Sequence, residues 1–154
     1  MTSFAQHCND IFNDSTLRYH ITDSIDAPET NPFDEGSIEH TLFHKNWIDA
    51  AQWHMEDIIR DENIDPVKAL ELKRTIDRSN QLRTDCVEEL DTYFRTKYAD
   101  VKALPDATIN TESPAWAIDR LSILALKIYH MQIEAGRNDA SPVSYTHLRA
   151  HETD

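Results

Sequence analysis

Glycine is scarce in this chain of 154 residues, and regular alternation of apolar and polar residues is almost absent. The two glycines, Gly36 and Gly136, stand alone. Phosphate-binding loops need several closely spaced glycines, because a Cβ atom would keep the backbone away from the phosphate. Half-buried strands need the alternation. The sequence therefore excludes a glycine-rich nucleotide loop and favours an all-α protein.

Basic residues are also in deficit. The chain has 15 Lys and Arg against 28 Asp and Glu, for a net charge of -13. Nucleic acids and anionic membranes attract basic surfaces, so we expect neither as a partner. No apolar run reaches the roughly 20 residues that span a bilayer, so we expect no membrane insertion. Residues 1–4 lack the basic and apolar regions of a signal peptide.

Cysteine is limited to Cys8 and Cys86, which are far apart and lack the spacing of metal ligands. Thiols of this kind usually serve as packing residues in a reducing compartment. We therefore predict a cytoplasmic protein.

The last residues, 143–154, do not resemble the rest of the chain. Residues 143–153 read VSYTHLRAHET, which is an in-frame translation of a sequencing-library adapter. We interpret this tail as an artefact and exclude it from the fold. The expected domain is a single helical one over residues 1–142, and we expect the natural protein to continue further.

Apolar residues recur at helical spacing and predict four helices. The first covers about residues 4–19, the second about 38–61 and the third about 66–98, while the fourth begins at residue 114. Ser37, Asp65 and Ser113 are predicted N-caps, and Pro66 and Pro114 occupy first helical positions. We predict an all-α, antiparallel four-helix bundle-like single domain that is incomplete at the C-terminus. The fourth helix is apolar nearly all round, so we expect it to be the most buried.

Polar residues interrupt the core-facing stripes of these helices. His54 and Asp57 lie one turn apart on the second helix, Asn80 and Arg83 on the third, and Asp119 and Arg120 are neighbours on the fourth. A buried polar group is unfavourable unless it is paired, so each of them needs a function or a partner.

These residues define the predicted site. His54 is the candidate general acid or base, with Asp57 or Glu56 orienting it. The predicted ligand-binding residues are Asn80, Arg83, Asp119 and Arg120, because a bidentate arginine suits a phosphate or a carboxylate. The alternative is a buried network of ion pairs that fixes the helix packing without chemistry.

The sequence predicts no metal site and names no cofactor. His40 and His44 share one helix face, but His54 lies roughly 21 Å from His40 along the same helix at about 1.5 Å per residue. Glu88 and Asp91 match one motif of the all-α nucleotide pyrophosphatases, which hold Mg²⁺ with carboxylates from two helices. The other motif of that family, Glu-x-x-Glu, is missing, which argues against that activity, although Asp57 and Asp61, four residues apart, could substitute for it.

Three blocks carry a family resemblance: WHMED at 53–57, NQLRTD at 80–85 with Glu88 and Asp91, and TESP at 111–114 with DRLSILALKIYHM at 119–131. They resemble the bacterial family known as domain of unknown function 4254, over about residues 4–141. The resemblance implies a further helical segment after the fourth helix and a genomic link to glycosyltransferases of surface-polysaccharide synthesis. It implies no established activity.

Two functions stay open at this point, and the sequence does not decide whether the protein is an enzyme. The first is binding of, or action on, a phosphorylated or nucleotide-sugar ligand in surface-glycan metabolism. The second is a non-catalytic helical scaffold that forms a homo-oligomer or binds a protein partner. The scaffold hypothesis predicts an internally paired polar network and an exposed apolar patch.

Overall fold

Four α-helices build the fold in the computed structural model, which describes residues 3–137. They are α1 (Phe4–Thr22), α2 (Ile38–Ile59), α3 (Pro66–Lys97) and α4 (Pro114–Ala135). No strand occurs in this range, which confirms the all-α prediction. Within the same range, no helix has both the length and the apolar character that crossing a bilayer requires. The tail that we interpret as adapter-derived lies outside the described residues.

The helices begin where their capping residues predict. The Ser37 side chain accepts a hydrogen bond from the His40 amide, and the Asp65 carboxylate accepts from the amides of the first turn of α3. Ser113 caps α4 through the Trp116 amide. Each cap satisfies amide groups that lack a partner inside the helix.

The helix directions are mixed. His7 and Glu39, near the starts of α1 and α2, are in contact, and Tyr19 stacks on His54 near their ends. These two helices are therefore parallel. By contrast, α3 is antiparallel to its neighbours, since Thr41 near the start of α2 meets Glu89 near the end of α3.

α4 runs in the same direction as α1 and α2. Lys45 contacts Asp119 near the start of α4, and Trp53 stacks on His130 near its end. The antiparallel arrangement thus holds for α2 with α3 and for α3 with α4. One end of the bundle gathers the C-terminal ends of α1, α2 and α4.

Residues 23–37, the crossover segment, make the parallel pairing of α1 and α2 possible by returning the chain along the bundle. Glu29 pairs with His44 at 2.6 Å, and the Asn31 amide donates to the His40 carbonyl at 3.1 Å. Phe33 packs edge-on against Phe43. These contacts hold the segment against α2.

α2 is the most buried helix, and residues 45–50 are buried without interruption. The prediction that α4 would be the most buried helix is wrong, because its outer side is half exposed at Trp116, Leu124 and Ile128. Both α2 and α4 contact all three other helices, but α4 leaves one face to solvent. The largest fully buried apolar side chains are Phe12, Tyr19, Leu42, Phe43, Leu90 and Leu126.

Candidate functional site

Four charged side chains meet between α2, α3 and α4. The Lys45 ammonium lies 2.5 Å from Asp49 Oδ2 and 2.7 Å from Asp119 Oδ1. Arg83 lies across the same carboxylates, with Nε 2.7 Å from Asp49 Oδ1 and Nη2 3.2 Å from Asp119 Oδ1. Two positive and two negative groups balance one another in this charged network (Lys45, Asp49, Arg83 and Asp119).

The charged network continues into hydrogen bonds that reach α1. Ser122 donates to Asp49 Oδ2 at 2.7 Å, and the Asn46 amide donates to Ser122 Oγ at 3.0 Å. Thr16 then donates to Asn46 Oδ1 at 3.0 Å. Buried charges are tolerated only when they are paired and hydrogen-bonded. The chain of contacts satisfies this requirement, and it ties all four helices together.

The Arg83–Asp49 contact is an ion pair more than a hydrogen bond. Arg83 Nε and Asp49 Oδ1 are both buried, and neither makes a hydrogen bond of normal geometry in the described part of the chain. They nevertheless lie 2.7 Å apart, so the opposite charges attract directly.

A small pocket opens beside Arg83. Its volume is about 220 Å³, and it lies between α2, α3 and α4. Its polar wall carries Asp49, Gln52, Glu56, Asp57, Arg60 and Arg83, and its apolar wall carries Trp53, Ile123 and Leu126. Arg60 pairs with Asp57 at 3.0 Å. Acidic groups outnumber basic ones here, and the pocket is smaller than the roughly 300–1,000 Å³ of typical ligand sites.

Three histidines converge at the end of the bundle where α1, α2 and α4 finish. His20, His54 and His130 come from these three helices, and one ring nitrogen of each lies within 4.8 Å of the others. We call them the histidine cluster. Their nearest ring contacts are Tyr19 on His54, Tyr129 on His20 and Trp53 on His130.

The histidine cluster is partly desolvated. Burial lowers the pKa of His20 and of His130 below the ordinary histidine value of 6.5. Burial also raises the pKa of the neighbouring Tyr19 phenol to about 12. Within the described residues, His130 Nε2 and the Tyr19 hydroxyl are buried without a hydrogen-bond partner.

The structure divides the predicted site residues among several places. Arg83 and Asp119 meet in the charged network, as expected of a shared site. Asp57 lies at the pocket with Arg60, whereas His54 turns toward α1 and contacts His20 and Asp23. The expectation that Asp57 orients His54 therefore has no support in the geometry. The catalytic roles of His54 and Asp57 stay predictions.

Asn80 and Arg120 lie on the surface. Asn80 accepts a hydrogen bond from Gln52 at 2.9 Å, and Ser79 takes the buried position on α3. Arg120 pairs with Glu112 at the exposed start of α4. The expectation that both side chains line one buried site with Arg83 is wrong in its geometry, because each is one residue away from the core-facing stripe.

Sequence reasoning missed Lys45, Asp49, His20 and His130. Lys45 and Asp49 are four residues apart and share a face of α2 with the apolar Leu42. This spacing was the available signal, and it was overlooked because the prediction for α2 considered only its apolar stripe. The histidine cluster left no such signal, because its members come from three helices. His40 and His44, the pair with metal-like spacing, only stack on each other, and His44 is held by Glu29.

A comparison with protein families finds a match over residues 39–152. They match the sequence profile of a family described as protein of unknown function (DUF4254). The chain belongs to this family. The match begins at the start of α2, so α1 lies outside it, and it runs through the tail whose adapter origin stays a prediction. Neither the curated proteins nor the solved structures give a match.

Proposed function

We propose that this member of the DUF4254 family is a non-catalytic helical interaction module that works in the cytoplasm. One observation carries the proposal: the four charged side chains that meet between α2, α3 and α4 are paired with one another. Lys45, Asp49, Arg83 and Asp119 form a balanced network, and Ser122 and Asn46 complete it. Such a network fixes the packing of helices, and its charged groups are paired with one another.

The proposed binding surface is the α4 outer face, defined by Trp116, Leu124 and Ile128. Their exposed fractions are 47%, 48% and 45%, although all three are large apolar side chains. They are spaced by eight and four residues and so lie on one side of the helix. An apolar face of this kind marks a contact surface for another protein.

The proposed partner presents an apolar helical face, and a second copy of this chain meets that description. Helix faces of this type pack against one another by interlocking ridges and grooves. The family resemblance points to surface-glycan assembly as the setting. The buried, unbonded thiols of Cys8 and Cys86 support a reducing compartment.

Light scattering coupled to size-exclusion chromatography tests this proposal. We expect the chain to form dimers whose fraction rises with concentration. A Leu124→Glu, Ile128→Glu double variant should be a monomer with an unchanged circular dichroism spectrum. Ile109→Glu is the matched control, because Ile109 is 98% exposed but lies outside α4. A chain that stays monomeric at every concentration contradicts the proposal.

A second candidate function is binding of a small phosphorylated ligand at the Arg83 pocket. It is favoured by the 22% of the Arg83 side chain that remains exposed beside Trp53 and Arg60. A whole nucleotide sugar is too large for about 220 Å³. Thermal unfolding with inorganic phosphate and with a nucleotide sugar separates the two candidates. A phosphate-dependent rise in Tm that Arg83→Lys removes supports ligand binding, and the absence of any rise supports the interaction module.

A further inference from the structure

The histidine cluster has the shape of a coordination site. The rings of His20 and His54 are 5.2 Å apart at 57°, those of His20 and His130 are 5.1 Å apart at 72°, and those of His54 and His130 are 5.7 Å apart at 67°. The three rings are therefore mutually tilted and almost equally spaced.

These spacings fit imidazoles arranged around a metal ion. With Zn–N bonds of about 2.0–2.1 Å, tetrahedral geometry places ligand nitrogens about 3.3 Å apart and ring centres about 5 Å apart. His20 Nε2 and His54 Nε2 are 3.2 Å apart. The largest separation in the cluster is no more than 4.8 Å, so side-chain shifts of about one ångström close the site.

A hydrogen bond fixes the tautomer of His20. His20 Nδ1 lies 2.7 Å from the Thr16 carbonyl and donates its proton to it, so His20 Nε2 carries a lone pair, which faces His54 Nε2 at 3.2 Å. His130 Nε2 is buried without a hydrogen-bond partner in the described residues. A backbone carbonyl that holds the far nitrogen of a histidine is a common outer partner of metal ligands, because it fixes the tautomer.

A carboxylate lies beside the histidine cluster. Asp23 ends α1 in the left-handed conformation, with φ of 51°, and its amide donates to the Tyr19 carbonyl. This turn carries Asp23 Oδ1 to 3.3 Å from His54 Nε2. The Asp23 side chain is more than half exposed, so the site opens to solvent on this side.

We propose that His20, His54 and His130 bind a divalent transition-metal ion of the zinc class, with the fourth coordination position open to solvent beside Asp23. Imidazole nitrogens select zinc and its neighbours, whereas Mg²⁺ and Ca²⁺ require oxygen ligands. In the bound state His54 carries its proton on Nδ1, so that its Nε2 lone pair faces the ion. The ion links α1, α2 and α4 and stabilises the end of the bundle where they meet.

The site could not be read from residue spacing, because each histidine comes from a different helix. The sequence prediction of no metal site rested on His40 and His44, which share a helix face but point to no third ligand. The parallel directions of α1, α2 and α4 are what bring His20, His54 and His130 together. The proposal is independent of the proposed contact surface on α4.

Zinc titration of the whole chain tests the site. His147 and His151 are first replaced by glutamine, so that imidazoles of the tail do not bind the ion. We expect one zinc ion per chain and a Tm that rises with zinc concentration, since an ion that binds only the folded state stabilises it. Mg²⁺ should leave the Tm unchanged. Co²⁺ in place of zinc should give the strong visible absorption of a tetrahedral site.

Variants locate the binding. Loss of a direct ligand in His54→Gln or His130→Gln should weaken zinc affinity by more than the roughly 10–100-fold typical of outer partners. His40→Gln is the matched control and should keep full affinity. Circular dichroism checks that the variants fold. If one does not, the Co²⁺ spectrum of the chain with both tail replacements shows whether the metal site exists. The proposal is overturned if that chain takes up no zinc, or if His54→Gln and His130→Gln bind it as tightly as the control.

Discussion

Two Lys–Asp pairs with the same four-residue spacing meet opposite environments in this protein. Lys45 and Asp49 are buried in the core of α2, whereas Lys73 and Asp77 are exposed on α3. Local sequence alone gives both pairs the same helical geometry. The two pairs differ in their access to solvent. Water screens the exposed pair, whereas the buried pair has no water to solvate its charges and depends on Arg83 and Asp119 to balance them.

Replacing the buried lysine should therefore be far more damaging than replacing the exposed one. Lys45→Met leaves Asp49 and Asp119 with Arg83 as their remaining cationic partner, so we expect a loss of about 3–5 kcal/mol in the free energy of unfolding. Lys73→Met is the control and should lose less than about 1 kcal/mol. Urea unfolding followed by circular dichroism measures both. Equal losses for the two variants would show that the buried network does not stabilise the fold.

At the scale of elements, the starts of α2, α3 and α4 follow from short-range chemistry. Ser37 and Ser113 each bond an amide three residues later, and Asp65 bonds two amides just after it. Pro66 and Pro114 stand where a missing amide proton does no harm. These features lie within four residues of one another, so the sequence predicted them correctly.

The turn before α2 offers a test at this scale. Gly36 has φ of +81°, a conformation that side chains disfavour, although a Cβ there would meet no atom within 4 Å. Gly36→Ala should therefore lower stability by about 1–2 kcal/mol through the backbone alone. Gly136→Ala should raise it by about 0.4–1 kcal/mol, because its φ of -82° suits alanine and its Cβ contacts are ordinary. Thermal unfolding shows whether each substitution raises or lowers the Tm. A Gly36→Ala variant that is more stable than the unmodified chain would refute the argument.

At the scale of the whole molecule, the crossover segment decides the arrangement. By returning along the bundle it makes α1 parallel to α2, and that places His20 beside His54. Its main polar attachment is the Glu29–His44 pair at 2.6 Å. The hydrogen bond that His44 donates to Glu29 raises the pKa of His44 despite burial. Burial raises the pKa of Glu29, but the hydrogen bonds from His44 and Asn31 and the charge of His44 outweigh it, so the pKa falls.

This attachment should depend on pH with a defined sign. The raised pKa of His44 contributes stability that is complete below 6.5 and is lost as the pH rises through the raised value. The lowered pKa of Glu29 contributes stability that is present above 4.5 and is lost as the pH falls through the lowered value. Both contributions are present between these two values.

We therefore expect His44→Gln to destabilise the chain more at about pH 5.5 than at about pH 8.5. Urea midpoints of the unmodified and variant chains at the two pH values measure the difference, and other titrating groups cancel in the comparison. His7→Gln is the control, since His7 pairs with Glu39 at 3.2 Å in a more exposed position. A penalty for His44→Gln that does not change with pH would contradict the assignment.

The sequence by itself determined the four helices, their caps, the all-α class and the family. These features depend on the helical period, the capping residues and the proline positions. Each of these acts over a few residues, so they can be read from the sequence without knowledge of the fold. It also identified Arg83 and Asp119 as polar residues that need an explanation, and the charged network supplies one.

The tertiary structure alone decided which polar residues meet. A step of one residue turns a helical side chain by about 100°, which is why Asn80 and Arg120 lie outside while Ser79 and Asp119 are buried. The burial of α2 and the exposed face of α4 depend on neighbours that no local pattern specifies. The same holds for the histidine cluster, because it exists only where three parallel helices end together.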